Sequence, residues 1–258
     1  MFPTTINEAA NGVRDRVRGA IQLASARTGV DFTYLFNQAR IESGLNPNAK
    51  APTSSATGLF QFIEQTWLAT VKKHGDAHGL GWAADAIRQA PNGRFFIADP
   101  AARREILDLR RDPAAASAMA AEFASDNQSF LERRLGRGAD STDLYMAHFL
   151  GPAGAARFLA AHDNDPHAPA APAMPAAARA NRWVFYNRDG SPRSFAQIRE
   201  RFAEKMGSDG APLPSRAPRP DPVAPVRFAT LNTDGRPPAG PSPQYARLAY
   251  LMLAQLGG

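Results

Sequence analysis

The chain has 258 residues, a formal net charge of +6 and no cysteine, which excludes disulfides, thiol nucleophiles and cysteine metal sites. No apolar run approaches the ~18 residues that a membrane-spanning helix needs. The basic balance suits an anionic partner, but lysine and arginine are scattered, with no cluster that would single out nucleic acid.

Residues 6–28 carry Val13, Val17, Ile21 and Ala24 at three- and four-residue spacing and end at Gly29, which predicts a helix. Asp31 reads as the N-cap of a second, from Phe32 to Ser43, with Leu35, Ala39 and Glu42 on one face. A third is expected from about Leu59 to His74, with Phe60, Ile63, Trp67 and Val71 as its apolar stripe. The short segment "LGWAADAIRQ" follows. Helices are then predicted over Pro100 to Leu109, Pro113 to Leu135, "DSTDLYMAHFL", and Pro152 through Ala161.

After His162 the composition shifts. "HDNDPHAPAAPAMP" reads as a Pro/Ala linker, and "RSFAQIRERFAEKM" as an amphipathic helix with Phe195, Ile198 and Phe202 on one side. Residues 208–243 hold ten of the 22 prolines and read as extended chain. A last helix is expected over 244–258, where Tyr245, Leu248, Leu251 and Leu256 recur. This gives four regions: 1–165, a helical domain; 166–207, linker and short helix; 208–243, Pro-rich segment; 244–258, C-terminal helix. The first twenty residues lack a basic stretch followed by an apolar one, so no signal peptide is expected.

The chemistry concentrates at "RIESGLNPNAKAPTSSATGLFQF", residues 40–62. Glu42 sits on the apolar face at the end of its helix. Burial and a helix C-terminus both disfavour the charged form of a carboxylate, and a carboxyl that keeps its proton is what a general acid requires. The plain alternative is a glutamate at a frayed helix end paired with an arginine. Gly58 permits close backbone approach, and Gln61 offers both a donor and an acceptor to an amide or a sugar hydroxyl. His74 and His78 are four apart, but Gly75 and the missing adjacent glutamate argue against a metal motif, and no metal cofactor is expected.

Ile41-Glu42-Ser43-Gly44, then Gly58-Leu59-Phe60-Gln61 and Thr66, resemble the first two motifs of the SLT-type (soluble lytic transglycosylase-like) lysozyme-like family. The third motif, usually Ala-Tyr-Asn-x-Gly, has its nearest match in Ala147-His148-Phe149-Leu150-Gly151, with His148 in place of Tyr and Phe149 in place of Asn. The resemblance spans roughly residues 15 to 162. It implies a mainly α, lysozyme-like domain, followed here by a Pro-rich, helix-bearing C-terminal extension.

The activity implied is lytic transglycosylation of peptidoglycan, a bacterial cell-wall polymer. The bond between N-acetylmuramic acid and N-acetylglucosamine is cleaved to a 1,6-anhydro product, with one Glu as both acid and base. Glu42 is the catalytic residue on this reading. Ser43, Gly58, Phe60 and Gln61 are the substrate-side candidates, and His148 or Tyr145 stands in for the family Tyr. A hydrolysing muramidase and a non-catalytic wall-binding or assembly protein are the alternatives. The partners expected are glycan strands and, by analogy for the tail, a cell-envelope secretion or flagellar machine. The location expected is the periplasm or envelope.

Overall fold

Residues 4–52, 54–207, 210 and 212–213 are described in the computed structural model. The element order is α1 (Thr4–Thr28), α2 (Phe32–Ser43), α3 (Glu64–His74), α4 (Gly81–Ala86), β1 (Arg88–Gln89), β2 (Phe95–Phe96), α5 (Pro100–Asp108), α6 (Pro113–Leu135), α7 (Ser141–Leu150), α8 (Pro152–Asn164), α9 (Ala170–Ala173), α10 (Pro175–Ala180), α11 (Arg182–Phe185) and α12 (Phe195–Met206). The fold is mainly α, with one two-residue antiparallel hairpin, β1–β2. No helix among the described residues is long and apolar enough to cross a membrane.

Local signals set the ends of the helices around the site. Asp31 caps α2 by accepting from the Tyr34 N–H at 2.8 Å. Gly44, at φ 61°, ends it by donating to the carbonyls of Ala39 and Arg40. α7 begins with a full capping box between Asp140 and Asp143, and α12 with one between Ser194 and Gln197.

α6 is the central rod. α1 lies along it, and α3, α7 and α8 also pack on it. One hydrophobic core holds Val17 and Ile21 of α1, Leu35 of α2, Trp67 of α3, Met119 of α6, Leu144 of α7 and Phe158 of α8. Trp67 is fully buried and donates through its indole N–H to the Ile106 carbonyl at 2.8 Å, the polar partner a buried indole needs.

Two expectations change. The third helix starts at Glu64, not Leu59. Residues 57–62 instead form a tight loop with a bridge between Thr57 and Phe62, and Gln61 takes a left-handed φ of 47° that no helix can hold. The stretch from 166 to 194 is not a bare linker. It contains α9, α10 and α11, whose Ala170, Ala177, Val184 and Phe185 join the main core. Small alanines pack closely there, and Pro175 occupies the first turn of α10, where it lacks only an N–H that would be unpaired anyway. The expected α12 is present, and its Phe195, Ile198, Phe202 and Met206 enter the same core. The Pro-rich expectation for 208–243 and the helix expected at 244–258 fall almost wholly outside the described residues.

Candidate active site

The site is built where the C-terminal end of α2 meets α7, α12 and the 57–62 loop. Glu42 lies in the last turn of α2, and its side chain is 0% exposed. Among the described residues neither carboxylate oxygen has a hydrogen-bond partner. Its Oε1 is 3.3 Å from His148 Nε2 on α7, an ion-pair distance without hydrogen-bond alignment. Four and eight residues before Glu42 on the same face stand Gln38 and Tyr34, both buried. Gln38 Nε2 donates to His148 Nδ1 at 3.3 Å. With Nδ1 accepting, the neutral ring carries its proton on Nε2, the atom that faces Glu42.

Aromatic packing fixes the imidazole. Tyr145 stacks on His148 with centroids 6.0 Å apart and planes 11° apart, and Phe123 meets its edge at 6.4 Å. His148 is thus the third-motif residue brought to Glu42, while Tyr145 backs it one turn earlier. Burial pushes both Tyr145 and Tyr34 phenols well up from their ordinary range, and the Glu42 charge pushes them further. Lys205 of α12 also feels Glu42. Burial lowers its ammonium, and the carboxylate opposes part of that shift.

The loop residues have clear structural duties. Ser43 Oγ lies 2.8 Å from the Leu59 carbonyl and 3.0 Å from that of Ala39, so its hydroxyl ties the end of α2 to the loop. Gln61 spends its amide N–H groups on the carbonyls of Gly58, at 2.9 Å, and Ala49, at 3.2 Å. Its donor is therefore used internally, and its side-chain carbonyl is the group left to offer a ligand. The Phe60 ring is buried in the core, which leaves only backbone to serve a substrate. Gly58 has φ 84°, and a Cβ there would sit 1.8 Å from the Arg110 carbonyl oxygen.

Arg110 was not expected from sequence. Its guanidinium donates to Leu107, Ser55 and Phe62 carbonyls, at 2.8, 2.7 and 3.1 Å, pinning the loop from beneath. Burial pushes it down to about 10. Glu64 is held by Arg103 at 2.6 Å, away from any acid–base role. His74 and His78 pair with acids of α6. His78 Nε2 lies 2.8 Å from Glu122, and His74 Nε2 lies 2.9 Å from Asp126. Among the described residues no group of three or more His, Asp or Glu is arranged to hold a metal.

The body is mainly α, and a buried glutamate without a hydrogen-bond partner among the described residues stands at a helix end. Residues 19–83 match the family model described as the transglycosylase SLT domain. This segment is therefore similar to a lysozyme-like domain of transglycosylase type, and the likeness supports a function on peptidoglycan. The match includes Glu42, Ser43, Gly58, Phe60 and Gln61 and ends well before His148.

Proposed function

We propose that this protein is a lytic transglycosylase of the periplasm or cell envelope, with Glu42 as its single acid and base. Glu42 protonates the glycosidic oxygen between N-acetylmuramic acid and N-acetylglucosamine, and that C–O bond breaks. The N-acetyl group of the muramic acid supports the positive C1. The muramoyl C6 hydroxyl attacks C1, Glu42 takes its proton, and a 1,6-anhydro ring closes without water. Retaining and inverting glycosidases divide such work between two carboxylates; here Glu64, the other candidate near the motif, is engaged by Arg103.

The observation that carries this reading is the Glu42 carboxylate, buried with both oxygens unpaired and facing His148 Nε2. A buried acceptor left unmatched in the resting protein is costly, and a reacting proton is a reason to keep it. The His148 N–H faces the oxygen that becomes negative after the first proton transfer and supports it there, the office of the family Tyr. Because the carboxylate is covered, a glycan strand must part that cover before chemistry begins. The catalytic unit is proposed to include 166–207 as well as 1–165, since α12 packs on both α2 and α7.

Purified peptidoglycan digested with wild type and Glu42→Gln tests the reading by mass spectrometry of the products. Anhydromuropeptides from wild type alone are expected. Reducing-end products would make the enzyme a muramidase, and wall binding without cleavage by either protein would make it a binding or assembly protein.

A further inference from the structure

α12 lies outside the matched segment, yet it is latched to the site at several points. The Asn37 side-chain amide on α2 donates to the Met206 carbonyl at 2.9 Å. Phe202 packs on Tyr145 and Phe149, with centroids 5.8 and 5.0 Å apart. Arg199 binds both Asp140 and Asp143 at the start of α7, which aligns α12 with the helix that carries His148.

Between these anchors Lys205 turns inward. Its Nζ lies 5.5 Å from the Tyr145 ring centroid, is inaccessible to solvent and has no hydrogen-bond partner among the described residues. A lysine on a helix end ordinarily carries its ammonium out to water. An aromatic face supplies only part of what this one has lost. The compensating opposite charge within electrostatic reach is Glu42, itself without a hydrogen bond. The lysine nitrogen and the glutamate carboxyl, neither hydrogen-bonded among the described residues, thus both adjoin the Tyr145–His148 ring pair.

We propose that Lys205 is a positioning residue of this site, whose ammonium balances the Glu42 carboxylate and holds it ready to act as the base that closes the anhydro ring. The inference rests on the proposed role of Glu42. The described titratable groups facing Glu42 are Tyr34 from its own helix, His148 and Tyr145 from α7, and Lys205 from α12. Lys205 is the one aliphatic cation among them, so its charge is the one that Lys205→Met deletes. Without it the carboxylate is left unbalanced, and the alkaline fall in kcat/KM moves up.

The test is the pH profile of kcat/KM on purified glycan strands for wild type, Lys205→Met and Lys205→Arg. The alkaline limb of Lys205→Met is expected to move up by roughly one pH unit, the lower end of what a nearby opposite charge produces. Lys205→Arg should restore it. Unchanged limbs in an active wild type and an active Lys205→Met overturn the proposal. A second measurement does not need cleavage: the titration of Lys205 followed by NMR in wild type and in Glu42→Gln. Its proton affinity should fall when Glu42 is neutralised, and equal titration in both proteins overturns the inference even if Lys205→Met does not fold. Wild type that yields no products, with the Lys205 titration still coupled to Glu42, would defeat the proposed activity and leave the charge pairing standing.

Discussion

Gly58→Ala is the substitution whose cost can be built most directly from the geometry. The residue sits at φ 84°, where a side chain costs about 1–2 kcal/mol. The added methyl would stand 1.8 Å from the Arg110 carbonyl oxygen and 2.7 Å from its carbon, so backbone must shift by more than an ångström. Forcing a close-packed region apart in this way costs typically another ~1–3 kcal/mol. The shift also falls on the residue whose guanidinium carries three loop hydrogen bonds. A loss of about 2–5 kcal/mol in folding stability is expected, read as a drop in the urea midpoint with an unchanged slope. Peptidoglycan cleavage should fall too in the fraction that stays folded, because Gln61 and the Leu59 carbonyl move with the loop. An alanine variant within about 0.5 kcal/mol of wild type would show that the contact between Gly58 and Arg110 does not hold the loop.

Other substitutions test separate parts of the molecule. His148→Phe keeps a ring between Tyr145 and Phe123 but removes the N–H that faces Glu42; a loss of about a hundredfold in cleavage rate is expected, with a small fall in melting temperature from the lost Gln38 contact. Arg199→Met removes a half-buried partner from the buried Asp140 and Asp143, the second of which keeps Arg137; up to about 3 kcal/mol of stability should be lost, measured by denaturant titration. Burial works to raise the Asp126 carboxyl, but hydrogen bonds from His74 and Lys73 outweigh it and hold the group below its ordinary 3.8. Its folded value is the lower one, so its stabilising contribution is complete above about pH 4 and is lost as pH falls through the folded value. Asp126→Asn should flatten that part of the acid limb of stability against pH, and an unaltered limb would assign the acid sensitivity elsewhere.

The helices that carry the site were legible where apolar spacing and caps agree. α2 and α6 have the expected bounds because Asp31 and Gly44, and Asp112 and Gly136, mark their ends unambiguously. α3 was expected to start too early because Leu59, Phe60 and Ile63 are spaced as on a helix; all three are buried, but by a loop that Gln61 and Arg110 hold in place. Tyr34, Gln38 and Glu42 form a stripe at four-residue spacing, and polar atoms on a buried face need partners. Arg110 and Lys205 gave no local signal, since each acts across a long stretch of chain. The residues of 166–194 look like tether by proline and alanine content, a measure that says nothing of whether small side chains fit a neighbouring surface.

The latch of α12 has a consequence for portability. The segment that matches the family carries Glu42 and the Gln61 loop, but the ring facing Glu42 comes from α7 and the buried ammonium from α12. Grafted into another scaffold, residues 19–83 would bring the glutamate and leave its surroundings behind. The unit that can be exchanged between proteins with its chemistry intact is the whole body through Met206, and an insertion within the α8–α12 stretch should affect turnover although it lies more than 80 residues from the glutamate in sequence.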